Sequence, residues 1–324
     1  MAKVITGKNL AKKPVLRATR DGFGEGMLLA GRANRDVVGV CADVTESVRL
    51  AGFKKEFPDR FIQVGVHEQL LVAMSAGLAL AGKIPFAAAY AVFSPGRSWE
   101  MVRTNVCINN ANVKIVGSHA GVTTGPDGAT HQALEDIALT RSLPNMTVIV
   151  PADAIEAKKA TVAAAAKAGP VYLRLSREPS PIVTDEKTPF EIGRANVLRE
   201  GTDVAIIACG LMVPAALAAA ELLAKKGTSA LVINCHTIKP LDEKAVVAAA
   251  QKCGAVVTAE EHQVAGGLGS AVAELLGRQC PVPMELVGVQ DRFGQSGEAA
   301  ELLVEYGLTA GDIAKAAKKV LSRK

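Results

Sequence analysis

Aromatic residues are scarce in this 324-residue chain: 8 Phe, 3 Tyr and 1 Trp make up 4% of it. So few rings offer no stacking platform for single-stranded nucleic acid. Cysteine is sparse and unpatterned. The six (Cys41, Cys107, Cys209, Cys235, Cys253 and Cys280) include no C-x-x-C pair, which predicts reduced, mostly buried thiols in a cytoplasmic protein. No apolar run reaches the roughly 18 residues a membrane span needs, and no charged-then-apolar leader opens the chain. Neither a membrane nor a nucleic acid is expected as a partner. The 30 Gly and 15 Pro follow no fixed period, which excludes collagen-like and low-complexity classes. Charge of one sign is not concentrated either. Lys and Arg number 37 against 32 Asp and Glu, for a net +5, and basic clusters occur only near the ends, at 8–13 and 315–324. That balance suits a small anionic ligand.

What the chain does have is alternation. Short β-branched runs at 37–40, 61–64, 84–89, 113–117, 148–150 and 171–173 are separated by stretches with apolar residues at helical spacing, such as 70–80 and 154–168. Strand, helix, strand at this rhythm predicts a parallel sheet covered on both faces, and near-continuous apolar strands fit burial on both sides. From about Arg177 to Gly201 the texture turns polar and Pro-containing, which reads as a linker. The alternation then restarts, with strands at 204–208, 229–233, 255–258 and 283–287 and helices at 213–226, 243–252, 270–277 and 310–321. The fold class is α/β. Two doubly wound domains are expected: 1–180 with a mainly parallel sheet, a linker over 181–198, and a smaller domain over 199–324.

Ligands of such sheets bind beyond the carboxyl ends of the strands, and three segments carry chemistry there. Gly65-Val66-His67-Glu68-Gln69 follows a strand and opens a helix. Glu68 either complements the helix dipole or works as a general acid or base in an apolar crevice. The segment 117–132 (GSHAGVTTGPDGATHQ) holds four glycines, His119, Asp127 and His131. Ordered loops of this length are usually functional, and these side chains suit sugar hydroxyls and phosphate. The spacing does not favour zinc, and no metal ligand is assigned. The segment 89–97, with Tyr90, Phe93 and nearby Trp99, either plugs the core under a turn or forms a ring-stacking wall. Gly22-Phe23-Gly24-Glu25-Gly26 lacks the preceding strand of a nucleotide fingerprint, and Gly266-Gly267-Leu268-Gly269 reads as a packing turn.

The GVHEQ segment at 65–69, the aromatic segment ending in Phe93 and the 117–132 loop resemble thiamine-diphosphate enzymes of the transketolase family. The turn from His236 to Asp242 and Glu260-Glu261-His262 are similar to that family's C-terminal domain. The resemblance covers essentially the whole chain. It implies that the first domain binds the cofactor's pyrimidine. Glu68 would match the catalytic glutamate that hydrogen-bonds N1′ of that ring, Phe93 would stack on it with Tyr90 beside it, and Asp43 would lie near the cofactor. His119, catalytic in this assignment, and Asp127 would contact substrate hydroxyls. Arg20, Ser47, His131 and Arg177 would serve the sugar-phosphate end.

The family's Gly-Asp-Gly motif, which holds Mg2+ and the diphosphate, does not occur here. The resemblance therefore implies the C-terminal subunit of a split transketolase. A separate N-terminal subunit would bind Mg2+ and the diphosphate, in a hetero-oligomer with two copies of each chain. The implied reaction moves a two-carbon ketol unit from a ketose (phosphate) to an aldose (phosphate). The β subunit of a 2-oxoacid dehydrogenase and a deoxyxylulose-phosphate synthase share the cofactor and remain alternatives; an α/β protein without chemistry is a fourth reading.

Overall fold

The computed structural model describes residues 14–324; the basic cluster at 8–13 lies outside them. In chain order the strands are β1 (Leu16–Arg17), β2 (Val37–Cys41), β3 (Phe61–Gln63), β4 (Ile84–Tyr90), β5 (Lys114–Ser118), β6 (Thr147–Ile149), β7 (Val171–Arg174), β8 (Ser180–Pro181), β9 (Asn196–Arg199), β10 (Val204–Ala208), β11 (Ala230–Asn234), β12 (Thr237–Lys239), β13 (Val256–Gln263) and β14 (Met284–Val289). Seven form one sheet in the order β12-β6-β7-β5-β4-β2-β3, and five form a second in the order β14-β13-β10-β11-β9. Within each, all neighbours run parallel except one antiparallel edge strand, β12 in the first and β9 in the second. The molecule is α/β with two mostly parallel sheets. Strands β2, β5, β7, β10 and β11 are buried along their whole length, as expected of central parallel strands.

The helices begin and end where the local chemistry dictates. Asp153 caps the helix Ala154–Ala166 by accepting the Glu156 N–H at 2.9 Å. Asp242 does the same for Glu243–Cys253, which stops at Gly254 with φ +65°. Gly22 and Gly26, on the helix Thr19–Ala33, serve packing. A Cβ on Gly22 would lie 1.9 Å from the Ala154 carbonyl oxygen, and one on Gly26 would lie 2.6 Å from Thr161 Cβ. The two helices touch through their backbones, which only glycine allows. The Gly266–Gly269 turn is likewise filled from within: a Cβ on Gly267 would meet the Glu260 carboxylate, which accepts the N–H groups of Leu268 and Gly269.

The stretch read as a linker carries structure at both ends. Its first residue closes β8, which pairs with β1, and β9 begins within it at Asn196. The segment His236–Asp242, read with the second domain, sends β12 into the first sheet beside β6. A buried polar cluster also spans the halves. Tyr172 Oη donates to Asp136 at 2.5 Å, Arg174 Nε donates to the same carboxylate at 2.8 Å, and Arg174 Nη2 donates to the Glu261 carbonyl at 2.8 Å. Burial opposes the Asp136 charge, but Arg174 outweighs it and holds that carboxyl below its usual range. No helix among the described residues is long and apolar enough to cross a membrane. All six cysteines are free, and five are buried.

Candidate functional site

The carboxyl ends of β2, β3, β4, β5 and β7 open on one edge of the first sheet, and the candidate residues follow them. Asp43 comes after β2, Glu68 after β3, Phe93 after β4, His119 after β5 and Arg177 after β7. Tyr90 closes β4, and Arg20 lies in the first turn of Thr19–Ala33.

A continuous line of contacts joins most of them. Arg20 Nη1 donates to the Ser47 carbonyl at 3.0 Å and lies 3.3 Å from His119 Nε2. The His119 ring centroid is 4.0 Å from that of Tyr90. His131 stands edge-on to Phe93 at 5.3 Å, with Tyr90 at 6.3 Å. Arg97 lies over the Phe93 ring at 5.2 Å and reaches the Glu68 carboxylate at 3.4 Å. Arg177 Nη1 donates to the Thr124 carbonyl at 2.8 Å and to Asp127 at 3.3 Å. Thr124 in turn donates its hydroxyl to the His119 carbonyl at 2.6 Å. Asp43 stands apart from this line. Its backbone N–H donates to Gln63 Oε1 at 2.7 Å, so it is tied to the end of β3.

The protonation of His119 can be read from its partners. A guanidinium only donates, so Nε2 facing Arg20 must accept, and the ring proton sits on Nδ1, donating to Ser118 Oγ at 2.9 Å. Burial, reinforced by Arg20, Arg177 and Arg49, pushes the His119 pKa down to about 3. His119 is a neutral acceptor toward the site. It sits at φ +58°, a strained conformation for a side-chain-bearing residue. Arg20 Nε is buried with no partner. Its guanidinium is the kind of group that receives an anion.

Glu68 is 3% exposed in the first turn of the helix Glu68–Leu80, with His67 as N-cap. Arg97 touches both its carboxylate and the Phe93 face. That guanidinium is itself a flat group held by a carboxyl and a ring at once, the pairing that a flat heterocycle with a hydrogen-bonding ring nitrogen requires. These residues fit the pyrimidine end of thiamine diphosphate. Among the described residues, no group of three or more His, Cys, Asp or Glu side chains is placed to hold a metal ion.

Three residues in or against this site were given no role by the sequence reading. Arg97 closes the 89–97 segment. Arg49, at φ +63°, donates to Asp21 at 2.7 Å beside Arg20. Glu261, from β13, accepts the Thr123 N–H at 2.7 Å. Two consecutive acids ending the apolar run 255–259 were the available signal for Glu261: a buried strand tolerates a charge only where a partner meets it.

Comparison with known proteins identifies the family. The family model described as transketolase, pyrimidine binding domain matches residues 16–181, and that described as transketolase, C-terminal domain matches 193–313. A 6-deoxy-6-sulfo-D-fructose transketolase subunit of Clostridium sp. (strain MSTE9) is 44% identical over 94% of this chain and 95% of its own length. A 1-deoxy-D-xylulose-5-phosphate synthase of Geobacter sulfurreducens is 38% identical over 99% of this chain but only 51% of its own. A solved split gene transketolase, in an inactive beta4 tetramer, superposes with a TM-score of 0.89 at 46% identity, covering 94% of this chain and 98% of that one. With both domain models matched in order and a relative this similar along nearly its full length, the chain belongs to the transketolase family.

Proposed function

We propose that this chain is the pyrimidine-holding, C-terminal subunit of a split transketolase. It works with a separate N-terminal subunit that binds Mg2+ and the diphosphate, and it transfers a two-carbon ketol unit from a ketose to an aldose. The observation that carries the reading is the buried Glu68 carboxylate just after β3, joined to the Phe93 ring by an Arg97 guanidinium that touches both. When bound, thiamine diphosphate supplies the nucleophilic carbon that takes up the ketol unit.

The roles of this chain's residues follow from their contacts. Glu68 holds a proton against N1′ of the aminopyrimidine, in a position shielded from water. Phe93, with Tyr90 beside it, packs against the ring face. His119 accepts a hydrogen bond from a substrate hydroxyl at Nε2, the atom that now faces Arg20, and Asp127 accepts one from a second hydroxyl. Arg20, Ser47, His131 and Arg177 receive the far end of the sugar. Guanidiniums suit a tetrahedral oxyanion there, a phosphate or a sulfonate. The sulfonated substrate named for the clostridial relative supports that class. Asp43 is assigned to the edge of the cofactor site.

Two copies of each chain form the working assembly in this reading. Val66 and Leu70, exposed on either side of Glu68, offer an apolar surface for the second copy.

The test is reconstitution. The chain, mixed with an N-terminal transketolase subunit, Mg2+ and thiamine diphosphate, is assayed for ketol transfer from a panel of ketoses ending in hydroxyl, phosphate or sulfonate. Transfer is expected only from the mixture, with the anionic ketoses preferred. Pyruvate decarboxylation without ketol transfer would move the chain to the synthase reading, and acyl delivery to a lipoyl domain would move it to the 2-oxoacid dehydrogenase reading.

A further inference from the structure

The loop 117–132 belongs to the first sheet, yet the second half of the chain closes over it. Gln132 Nε2 donates to the Gln295 carbonyl at 2.9 Å. A Cβ on Gly128, at φ +75°, would lie 2.5 Å from Ser296 Oγ. The most direct contact is Glu261. Its carboxylate is buried among residues of both halves and accepts the backbone N–H of Thr123 at 2.7 Å. It also fills the space beside Gly121, where a Cβ at φ +92° would lie 2.3 Å from it.

Thr123 is the second residue of the short turn Val122–Asp127, which runs from the His119 end of the loop to Asp127. His119, Gly121, Gly125 and Gly128 all have positive φ. A loop with four such residues is held by scattered bonds rather than by a ladder: the Gly121 N–H donates to the Ala133 carbonyl at 2.9 Å and Gln132 Nε2 to the Val122 carbonyl at 3.0 Å, while the Thr123 N–H between them is left to Glu261. Its shape depends on what it is pinned to. The pin reaches across 138 residues of sequence and is itself braced: Arg174 Nη2 holds the Glu261 carbonyl at 2.8 Å.

We propose that Glu261 is a positioning residue. By holding the Thr123 N–H it sets the conformation in which His119 and Asp127 face the substrate, so the C-terminal domain shapes the substrate site through one carboxylate oxygen. The inference rests on the reading of this loop as the substrate loop.

Two substitutions separate positioning from charge. Glu261→Gln keeps the reach and an acceptor oxygen but loses the charge. Glu261→Asp keeps the charge but is one methylene too short to reach Thr123. Both are measured in the assembled enzyme, for kcat, for KM of donor and acceptor sugars and for hydrogen–deuterium exchange at the cofactor's reactive carbon. Amide exchange across 117–132 is measured on this chain by mass spectrometry. Glu261→Asp is expected to raise KM about tenfold, the scale of one hydrogen bond to a charged acceptor, and to speed loop amide exchange, with cofactor exchange unchanged. Glu261→Gln is expected to stay near wild type in all of these. The reverse order, or loop exchange and KM unchanged in both variants, would overturn the proposal. A wild-type assembly that transfers no ketol unit would sink the functional reading instead, and the loop exchange data would still decide whether Glu261 is the pin.

Discussion

Strand β5 has a buried basic side chain at each end, and the two are treated in opposite ways. Lys114, at its start, donates to Asn112 Oδ1 at 2.7 Å, the Lys167 carbonyl at 2.6 Å and the Gly169 carbonyl at 2.7 Å. All three of its N–H groups are used within the chain, although burial pulls its pKa down to about 7. His119, just past the other end, keeps its Nε2 toward a cationic cluster, in a strained backbone, beside an Arg20 Nε that has no partner. One end is a closed polar plug. At the other, both His119 nitrogens are paired, and the donor that the chain itself does not use is Arg20 Nε. Polar groups left open at the carboxyl end of a parallel sheet are what a ligand completes.

Substitutions can break or sharpen that contrast. Glu68→Ala, at the open edge, is expected to lower kcat of the assembled enzyme by about two to four orders of magnitude, with folding and assembly intact. Melting curves beside steady-state kinetics check both halves of this statement, and near-wild-type kcat would remove Glu68 from proton transfer. At the closed end the expectation is inverted. Lys114→Met leaves three buried oxygens without a donor and should cost about 2–4 kcal/mol in denaturant unfolding, with kcat per folded site unchanged.

His119→Gln should raise KM for the sugar about tenfold, and it carries a second, pH-dependent signature. With the folded pKa near 3 against an ordinary 6.5, the unfolded chain binds a proton here that the folded chain refuses between those values. Folded stability therefore falls as pH drops through that window. Removing the imidazole should flatten the stability–pH slope there by up to about 1.4 kcal/mol per pH unit. An unchanged slope in acid titrations would mean that His119 is solvated. The smallest effect is expected at Arg97, half-exposed over Phe93 and Glu68. Because it touches the groups assigned to the pyrimidine, Arg97→Ala should tighten thiamine diphosphate binding by about threefold in calorimetry of the assembled enzyme. Weaker binding would instead make Arg97 a ligand of the cofactor.

How much of this was legible beforehand differs between strands and seams. β2, β4, β5, β10 and β11 announce themselves because a strand buried on both faces must be apolar along nearly all of its length, with polar residues such as Lys114 and Asn234 only at the ends. The loop at 117–132 stood out because its glycines and histidines suit no regular element. What stayed hidden depends on distant partners. Nothing local in Thr237-Ile238-Lys239 says that it pairs with Val148 and Ile149. Gly22 and Gly26 resemble a ligand loop in sequence, and only the crossing with 154–166 shows that they serve helix contact. Asp43 followed the family pattern, yet its hydrogen bonds run to Gln63 rather than to the histidines. Glu261 was visible only as part of an acidic pair, since its partner lies in the other half of the chain.

The β12–β6 pairing bears on how the protein is made. The edge of the first sheet beside β6 is covered by residues that the ribosome delivers only after the whole of β10 and β11. Until Lys239 has left the exit tunnel, the nascent first half carries an uncovered strand margin, the kind that templates aggregation. Shortened versions of the gene that stop after β8 would inherit that margin permanently, so the boundary between the two sequence domains is not a safe place to cut.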